Sequence, residues 1–496
     1  MNFTNPIIPG FHPDPSICRV GDDFYLVTSS FEYFPGVPIF HSRDLVHWRQ
    51  LGHCLTRPSQ LPLEKCHPSG GIFAPTIRYH EGIFYMVTTN VTGGGHFYVW
   101  TRDPAGEWSD PVWVEGKGID PSLFFDRDGT VYFTYTDGGQ ILQGTLDIAS
   151  GRMLQAARPI WQGTGGAYPE GPHLYKIGGF YYLLISEGGT EYGHMLTIAR
   201  CAIPWGPFEA CPRNPILSHR SLNSPIQATG HGDLVEAPNP RWMVLLGIRP
   251  VYYPPAYHLG RETFLVPVEW DVDGWPVVGR FGRVELEIEA PDLPDHPWQP
   301  IPARDDFDWH SLSPAWNYLR NPHPADYSLS ERPGWLRLAC APLSLEVSDS
   351  PAWVGQRQDR FECRAAALVD FQPAGEHEEA GLTAWMNEGH HYEVFITRRD
   401  GQRMAVVRRK IGSLQAEVAR TVVPDGALEL VIQAEPKLYT FSVVSKDGRA
   451  QVLAQGETRY LATEVAGGFT GVYFGLYATA NGRESSSWAW FDWFEK

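Results

Sequence analysis

Helical periodicity is almost missing from this chain of 496 residues. Apolar residues seldom recur every three or four positions, so long amphipathic helices are not expected. No run approaches the ~18 consecutive apolar residues of a membrane-spanning helix. Basic residues are in the minority, 40 Lys and Arg against 57 Asp and Glu, and the net charge is −17 with no long run of either sign. Nucleic acids and anionic membrane surfaces are bound by clustered Lys and Arg, so neither is an expected partner. A neutral small molecule is the ligand easiest to reconcile with this balance. Cysteine is scarce: the seven (Cys18, Cys54, Cys66, Cys201, Cys211, Cys340 and Cys363) are odd in number, scattered, and form no CxxC pair. They read as reduced thiols, not as a disulfide framework or a zinc site. The N-terminal residues have neither a basic nor an apolar leader segment. The expected location is cytoplasmic.

Aromatic residues, in contrast, are plentiful, with 18 Trp, 22 Tyr and 25 Phe. Such rings stack on sugars, but they also fill all-β cores, so their number alone does not choose. Short Tyr, Phe, Val and Ile runs alternate with Gly, Asp and Pro turns, which is the pattern of strands. One unit recurs five times: a polar or small residue, an apolar strand, a Gly- or Asn-containing turn, then an aromatic-rich strand. Asp14-Pro-Ser-Ile-Cys-Arg-Val-Gly-Asp-Asp-Phe-Tyr and Asp120-Pro-Ser-Leu-Phe-Phe-Asp-Arg-Asp-Gly-Thr-Val-Tyr illustrate the likeness. The copies lead with Asp14, Ala74, Asp120, Glu170 and His231, 46 to 61 residues apart. Each interval suits one four-stranded blade plus a variable loop. A closed ring of such sheets is a five-bladed β-propeller, whose inner strands bring the five leading residues to one channel mouth. Three of the five are acids, and buried carboxylates are costly to desolvate. A purely structural ring has no reason to gather them.

The repeat stops near residue 290. The Pro- and acid-rich stretch 289–302 reads as a linker packed against its surroundings. Beyond it, segments such as Trp335-Leu-Arg-Leu, Tyr392-Glu-Val-Phe-Ile-Thr, Leu428-Glu-Leu-Val-Ile-Gln and Tyr439-Thr-Phe-Ser-Val-Val alternate inward and outward residues. Arg399-Asp-Gly-Gln402 suits a hairpin turn. The expected fold is all-β: a five-bladed propeller over 1–300, then an antiparallel β-sandwich over 301–496. Two domains also suit the length.

Cleaving a glycosidic bond takes a proton donor on the leaving oxygen and a base or nucleophile on the opposite face of the sugar. Both are commonly carboxyl groups whose environments hold them in different protonation states. Three acids at one mouth supply such a pair and a neighbour, although spacing does not assign the roles. Each acid also has a plainer reading: an Asx turn before Pro15 for Asp14, a blade-closing turn for Asp120, a structural Glu between Pro169 and Gly171.

Phe11-His-Pro-Asp14-Pro-Ser, Gly118-Ile-Asp120-Pro-Ser-Leu, Tyr168-Pro-Glu170-Gly-Pro-His and Gly260-Arg261-Glu-Thr resemble the signature segments of glycoside hydrolase family 43. The likeness is to its β-xylosidase branch, and it extends over essentially the whole chain. The resemblance implies that Asp14 is the general base of a single-step inversion and Glu170 the general acid. Asp120 would be the carboxylate that orients the acid and raises its pKa, and Arg261 an arginine near the sugar hydroxyls. An inverting pair is held about 6.5–9.5 Å apart, leaving room for water. His231 matches a histidine on the channel axis where some relatives hold a hydrated divalent cation, usually calcium. It is the one candidate metal contact, through waters, beside the plainer reading of a satisfied buried histidine. No cofactor is required.

Phe31, Phe73, Ala74 and Thr190 match residues of the family's sugar pocket, with Phe73 standing where many relatives have Trp. Phe469, in Gly468-Phe469-Thr-Gly471, resembles a sandwich loop that reaches over the propeller and closes the pocket. A closed pocket admits only a chain end, so the implied activity is an exo-acting β-xylosidase on short xylo-oligosaccharides. The alternatives are an α-L-arabinofuranosidase or a dual enzyme, a non-catalytic carbohydrate-binding protein, and a fructan hydrolase of another five-bladed family. Relatives often form dimers or tetramers, so a homo-oligomer is implied.

Overall fold

The computed structural model describes residues 1–237 and 241–496; the Pro238-Asn239-Pro240 turn of the fifth repeat lies outside them. The five repeats are five antiparallel sheets arranged as a propeller. Their inner strands are Ser16–Val20, Ile72–His80, Ile119–Phe125, Glu170–Ile177 and Gln227–Val235, each followed outward by its sequence neighbours. Among the described residues no helix is long and apolar enough to cross a membrane. All seven cysteines are free thiols.

Strand periodicity explains why these sheets form a ring. Side chains two apart face the same side of a sheet, so a strand that is apolar at every position offers two sticky faces. In Phe180–Glu187, Leu183 and Ile185 pack toward the third blade, while Tyr182 and Leu184 pack toward the fifth. Five apolar clusters lie between consecutive blades in this way. The last of them joins the fifth blade to the first, with Trp242 and Val244 against Ile17 and Leu26. Closure is reinforced by the N-terminal strand Asn2–Thr4, which pairs antiparallel with Glu287–Glu289. Stretch 289–302 lies against the ring: Leu293 is buried beside Phe3, and Trp298 stacks under Arg49.

On the channel axis one buried carboxylate links four blades. Asp233 accepts from Ser16 Oγ at 2.6 Å, from the Ile17 amide at 3.0 Å, and from the Tyr175 hydroxyl at 2.5 Å. Both terminal nitrogens of Arg78 donate to it, at 2.8 and 3.2 Å. Burial would push Asp233 up, but Arg78 and these donors outweigh it and hold the carboxyl well below its usual range. Arg78 also donates to His173 Nδ1 at 3.0 Å, and burial drives that imidazole down to about 3.

Residues from Arg304 onward form two facing antiparallel sheets. Their hairpin between His390–Arg399 and Gln402–Ile411 turns on Asp400 and Gly401, both at positive φ, as a tight two-residue turn requires. The sandwich is not closed on itself. Tyr33–Phe34, from the first blade, adds an edge strand to it by pairing with Asn317–Leu319. An aromatic cluster follows the same route, with Tyr33 stacked on Tyr473 at 4.2 Å and Phe11 and Phe31 packed alongside. Arg320 is fully buried in this seam, donating to the Cys66 and Asp349 carbonyls and to Glu388.

Replacing Arg320 with Met leaves the buried Glu388 charge and the Cys66 carbonyl without partners. The expected loss is about 3–5 kcal/mol of stability, typical of breaking one side of a buried ion pair. Urea denaturation measures it, and a loss below about 1 kcal/mol would show that Arg320 does not pin the two parts together.

Candidate active site

The ends of the inner strands at one mouth of the channel do not run straight. In the second to fifth blades the pairing with the next strand shifts register, between Phe73 and Thr76, Ile119 and Ser122, Glu170 and His173, and Gln227 and Gly230. Bulges of this kind bend a strand and re-aim its side chains. The residues at the bends take left-handed backbone conformations: Asp14 at φ 54°, Asp120 at 56°, Gly171 at 58° and His231 at 44°. For a residue with a Cβ this costs of order 1–3 kcal/mol, and such strain collects at functional sites. Gly171 carries no such strain, and a side chain there would press on the His231 ring at 3.1 Å. The effect is to turn Asp14, Asp120 and Glu170 inward onto one cavity of about 100 Å³.

All ten residues singled out from the sequence line that cavity. Besides the three acids, Arg261, His231 and Thr190 make up the polar side, and Ala74 adds a methyl group to the lining. Phe31, Phe73 and Phe469 form the apolar wall. Ile119, next to Asp120, is an eleventh wall residue that only its place in the motif Gly118-Ile-Asp120 could have suggested.

The carboxyl groups differ sharply in surroundings. Asp14 is buried, which by itself would push its pKa up. Arg261 Nη1 donates to its Oδ1 at 2.9 Å and Ser29 Oγ to its Oδ2 at 2.6 Å. With His231 nearby, these partners win and hold the carboxyl below its usual range. Asp120 is also buried, and there burial is reinforced by Glu170 and Asp14, so its carboxyl is held well above the usual range. A single amide, that of Gly171, donates to Asp120 at 3.0 Å and opposes the shift only weakly. The cluster therefore holds two carboxyl groups displaced in opposite directions, the kind of division that acid–base chemistry uses.

The Arg261 guanidinium is held from several sides. It shares Nη1 between Asp14 and Thr190 Oγ1, the latter at 3.1 Å, and lies over the Phe31 and Phe469 rings at 5.6 and 5.5 Å. Its Nε is buried without a partner among the described residues. Phe31 meets Phe73 at 5.1 Å and Phe469 at 6.0 Å between ring centroids. Phe469 comes from the sandwich and is tied to the propeller by its amide, which donates to Ser69 Oγ at 2.9 Å. Ser69 is itself fixed because its amide donates to Glu32 Oε2 at 3.0 Å.

His231 has its amide bound to Ser186 Oγ at 2.6 Å and its Nδ1 3.8 Å from Asp14 Oδ1. Burial lowers its pKa, so the imidazole is neutral. A calcium ion takes six to eight oxygen ligands. The described side chains gather no such set at His231, and the Arg78 guanidinium fills the axis further along the same strands. The residues present do not fit a directly ligated cation, and nothing below passes through one. Among the described residues, the only trio placed to hold a metal is Asp44, His47 and Asp295, outside this cavity.

Residues 3–276 match the profile of glycosyl hydrolases family 43, and 304–496 match the beta xylosidase C-terminal concanavalin A-like domain. The chain belongs to glycoside hydrolase family 43. It is 48% identical to a non-reducing end alpha-L-arabinofuranosidase of Bacteroides ovatus, over 99% of this chain and 94% of that one. It is 41% identical to a xylosidase/arabinosidase of Butyrivibrio fibrisolvens, over 99% and 98%. A solved Bacteroides ovatus structure, described as a xyloglucan PUL GH43B, superposes with a TM-score of 0.97 at 47% identity, covering 100% and 99% of the two chains.

Three residues that help build this family-43 glycosidase site were not legible beforehand. Glu187 accepts from the Thr164 and Gly166 amides and so fixes the loop leading into Glu170. Glu32 and Ser69 anchor the Phe469 loop. None is marked by periodicity or motif, because each acts through hydrogen bonds to distant backbone.

Burial is the main cause that pushes Glu32 up to about 8. Its folded pKa exceeds the ordinary value, so its contribution to stability is complete below about pH 4.5 and is lost as pH rises through about 8. Glu32→Gln, which keeps the acceptor for Ser69, is expected to remove that slope. Thermal unfolding midpoints from pH 5 to 9 test this: wild type falls relative to the variant as pH rises, and parallel curves would contradict it.

Proposed function

We propose that this family-43 hydrolase is an exo-acting β-xylosidase that removes single xylose units from short oligosaccharides with inversion. The observation that carries the reading is the small cavity whose lining gathers three carboxyl groups, with Phe469 of the sandwich in its wall. At about 100 Å³ it is well below the 300–1,000 Å³ of pockets for larger ligands. It suits one sugar ring, not a polymer threading through.

Asp14 is the base: ionised by its contact with Arg261 and Ser29, it takes a proton from water attacking the anomeric carbon. Glu170 is the acid that protonates the departing oxygen. Asp120, its carboxyl held well above the usual range by burial and by Glu170, accepts the Gly171 amide at 3.0 Å and so holds the bend that carries the acid. Arg261, held between Asp14 and Thr190 in the cavity lining, is the cationic group that meets the sugar hydroxyls. Phe31 and Phe73 supply the apolar face against which the ring stacks.

A second reading, α-L-arabinofuranosidase activity in the same pocket, is favoured by the name of the Bacteroides ovatus relative. The name of the Butyrivibrio fibrisolvens relative, a xylosidase/arabinosidase, couples both activities.

One set of assays tests the scheme. Glu170→Ala is expected to lower kcat on xylobiose by about 10²–10⁴, the range for losing a general acid. The loss should be far smaller on 4-nitrophenyl β-D-xyloside, whose leaving group needs little protonation. Full activity of the variant on xylobiose would dispose of the acid assignment. Faster turnover of 4-nitrophenyl α-L-arabinofuranoside than of the xyloside by the wild type would move the function to the second reading.

A further inference from the structure

His194 is the one fully buried side chain placed against Glu170, and the scheme above gives it no task. It lies in the turn after Thr190, four residues along, with its backbone amide bound to the Glu191 carbonyl at 3.0 Å. Its side chain has no solvent exposure, whereas that of Glu170 is 18% exposed toward the cavity. Its ring rests on the backbone of the fifth blade's inner strand at Gly230. A Cβ on Gly230 would fall 2.4–2.5 Å from three ring atoms, so the ring occupies the space a side chain would take.

The two ring nitrogens have different neighbours. Nδ1 faces the Ala228 carbonyl at 3.3 Å. A carbonyl can only accept, so Nδ1 carries a hydrogen. Nε2 then faces Glu170 Oε1 at 3.4 Å, within ion-pair range but beyond a formed hydrogen bond, and it has no hydrogen-bond partner among the described residues. Two arrangements make this contact favourable. An imidazolium donates Nε2–H to the carboxylate, or a neutral imidazole accepts a hydrogen from Oε1. In both, closing the 3.4 Å gap by a few tenths of an ångström puts one proton between Nε2 and Oε1 and so occupies Oε1. The other charged and titratable groups around the pair are Asp120 beside Glu170, and Asp14 and His231 facing both.

We propose that His194 is a positioning residue for the reaction: by occupying Oε1 it selects Oε2 as the oxygen of Glu170 that meets the departing glycosidic oxygen. The inference rests on Glu170 being the proton donor. A carboxyl group free to rotate about its terminal bond offers the wrong oxygen or the wrong angle for part of the time. Small misplacements of a reacting group are known to cost up to about 10²-fold in rate. His194 removes that freedom from behind, without touching the sugar.

The test compares four variants, with kcat and KM measured on xylobiose and on 4-nitrophenyl β-D-xyloside. If the arabinofuranoside is the better substrate, an arabino-oligosaccharide and its aryl glycoside replace them. His194→Ala is expected to lower kcat on the disaccharide about ten- to a hundredfold, with KM within about threefold of wild type. On the aryl glycoside, where protonation matters little, the loss should be under about threefold. His194→Phe fills the same space without a hydrogen bond and should behave like His194→Ala. His194→Gln places an amide near the Nε2 position and should recover most of the activity on the disaccharide. Unfolding midpoints of all variants separate a folding defect from a catalytic one.

Three results would overturn the proposal: unchanged kcat on the disaccharide in the folded His194→Ala, wild-type activity in His194→Phe, or equal losses on both substrates. Glu170→Ala, the fourth variant, tells the two ideas apart. If it is inactive on the disaccharide while His194→Ala keeps the wild-type kcat, only the positioning role falls. If it keeps full activity, the acid assignment itself is wrong.

Discussion

The fold depends on a buried ion pair at the axis of the ring. Asp233 and Arg78 sit where five apolar sheets converge, and each has partners on other blades. A lone charge there would be expensive, and one paired but otherwise unsatisfied would gain little. Here Asp233 has two guanidinium nitrogens, two hydroxyls and one amide, so its capacity as an acceptor is filled. The apolar faces between blades supply the drive for closure and are non-directional. The axial pair adds direction: it sets how far Ser16, Arg78, Tyr175 and Asp233 lie from one another. The positions of the residues a few steps up the same strands follow from that.

Those residues form the carboxyl cluster of the candidate site. Asp14 is two residues from Ser16, Glu170 three from His173, and His231 two from Asp233. Each is turned inward by a backbone bend that an ordinary strand would not adopt. The strain is tolerated because the ring over-determines the geometry at both ends of each inner strand. The same arrangement separates the carboxyl groups chemically. Asp14 has a guanidinium and a hydroxyl, while Asp120 has burial, two acidic neighbours and one amide. Residue type is the same at both positions, and only the partners differ.

Much of this was legible in the sequence because it is periodic. Five copies of one strand–turn–strand unit give the ring, and the leading residue of each copy gives the mouth of the channel. That reasoning reached Asp14, Asp120, Glu170, Ala74 and His231 without any knowledge of contacts. Arg261, the three Phe residues and Thr190 were reached through likeness to a family, since nothing in their spacing marks them. What stayed hidden is held by single long-range hydrogen bonds. His194 leaves no periodic trace, and neither does the Glu32–Ser69–Phe469 chain, whose links span 37 and 400 residues. Nor did the alternation of strands reveal that Tyr33–Phe34 would leave its blade to extend the sandwich. Such an exchange is decided by which edge is open in three dimensions.

The sandwich is thereby part of the site and not an appendage. Its aromatic seam continues from Trp353 and Tyr473 through Tyr33 and Phe11 to Phe31, and its Phe469 closes the cavity. The sandwich so placed supplies part of the apolar wall at the channel mouth of the propeller. The central claim is that two of the gathered carboxyl groups act on opposite faces of one sugar in a single displacement. Proton NMR of the first product released from a β-xyloside tests it most directly. The account predicts α-xylose as the initial anomer, appearing before mutarotation; β-xylose appearing first would mean retention and would contradict it.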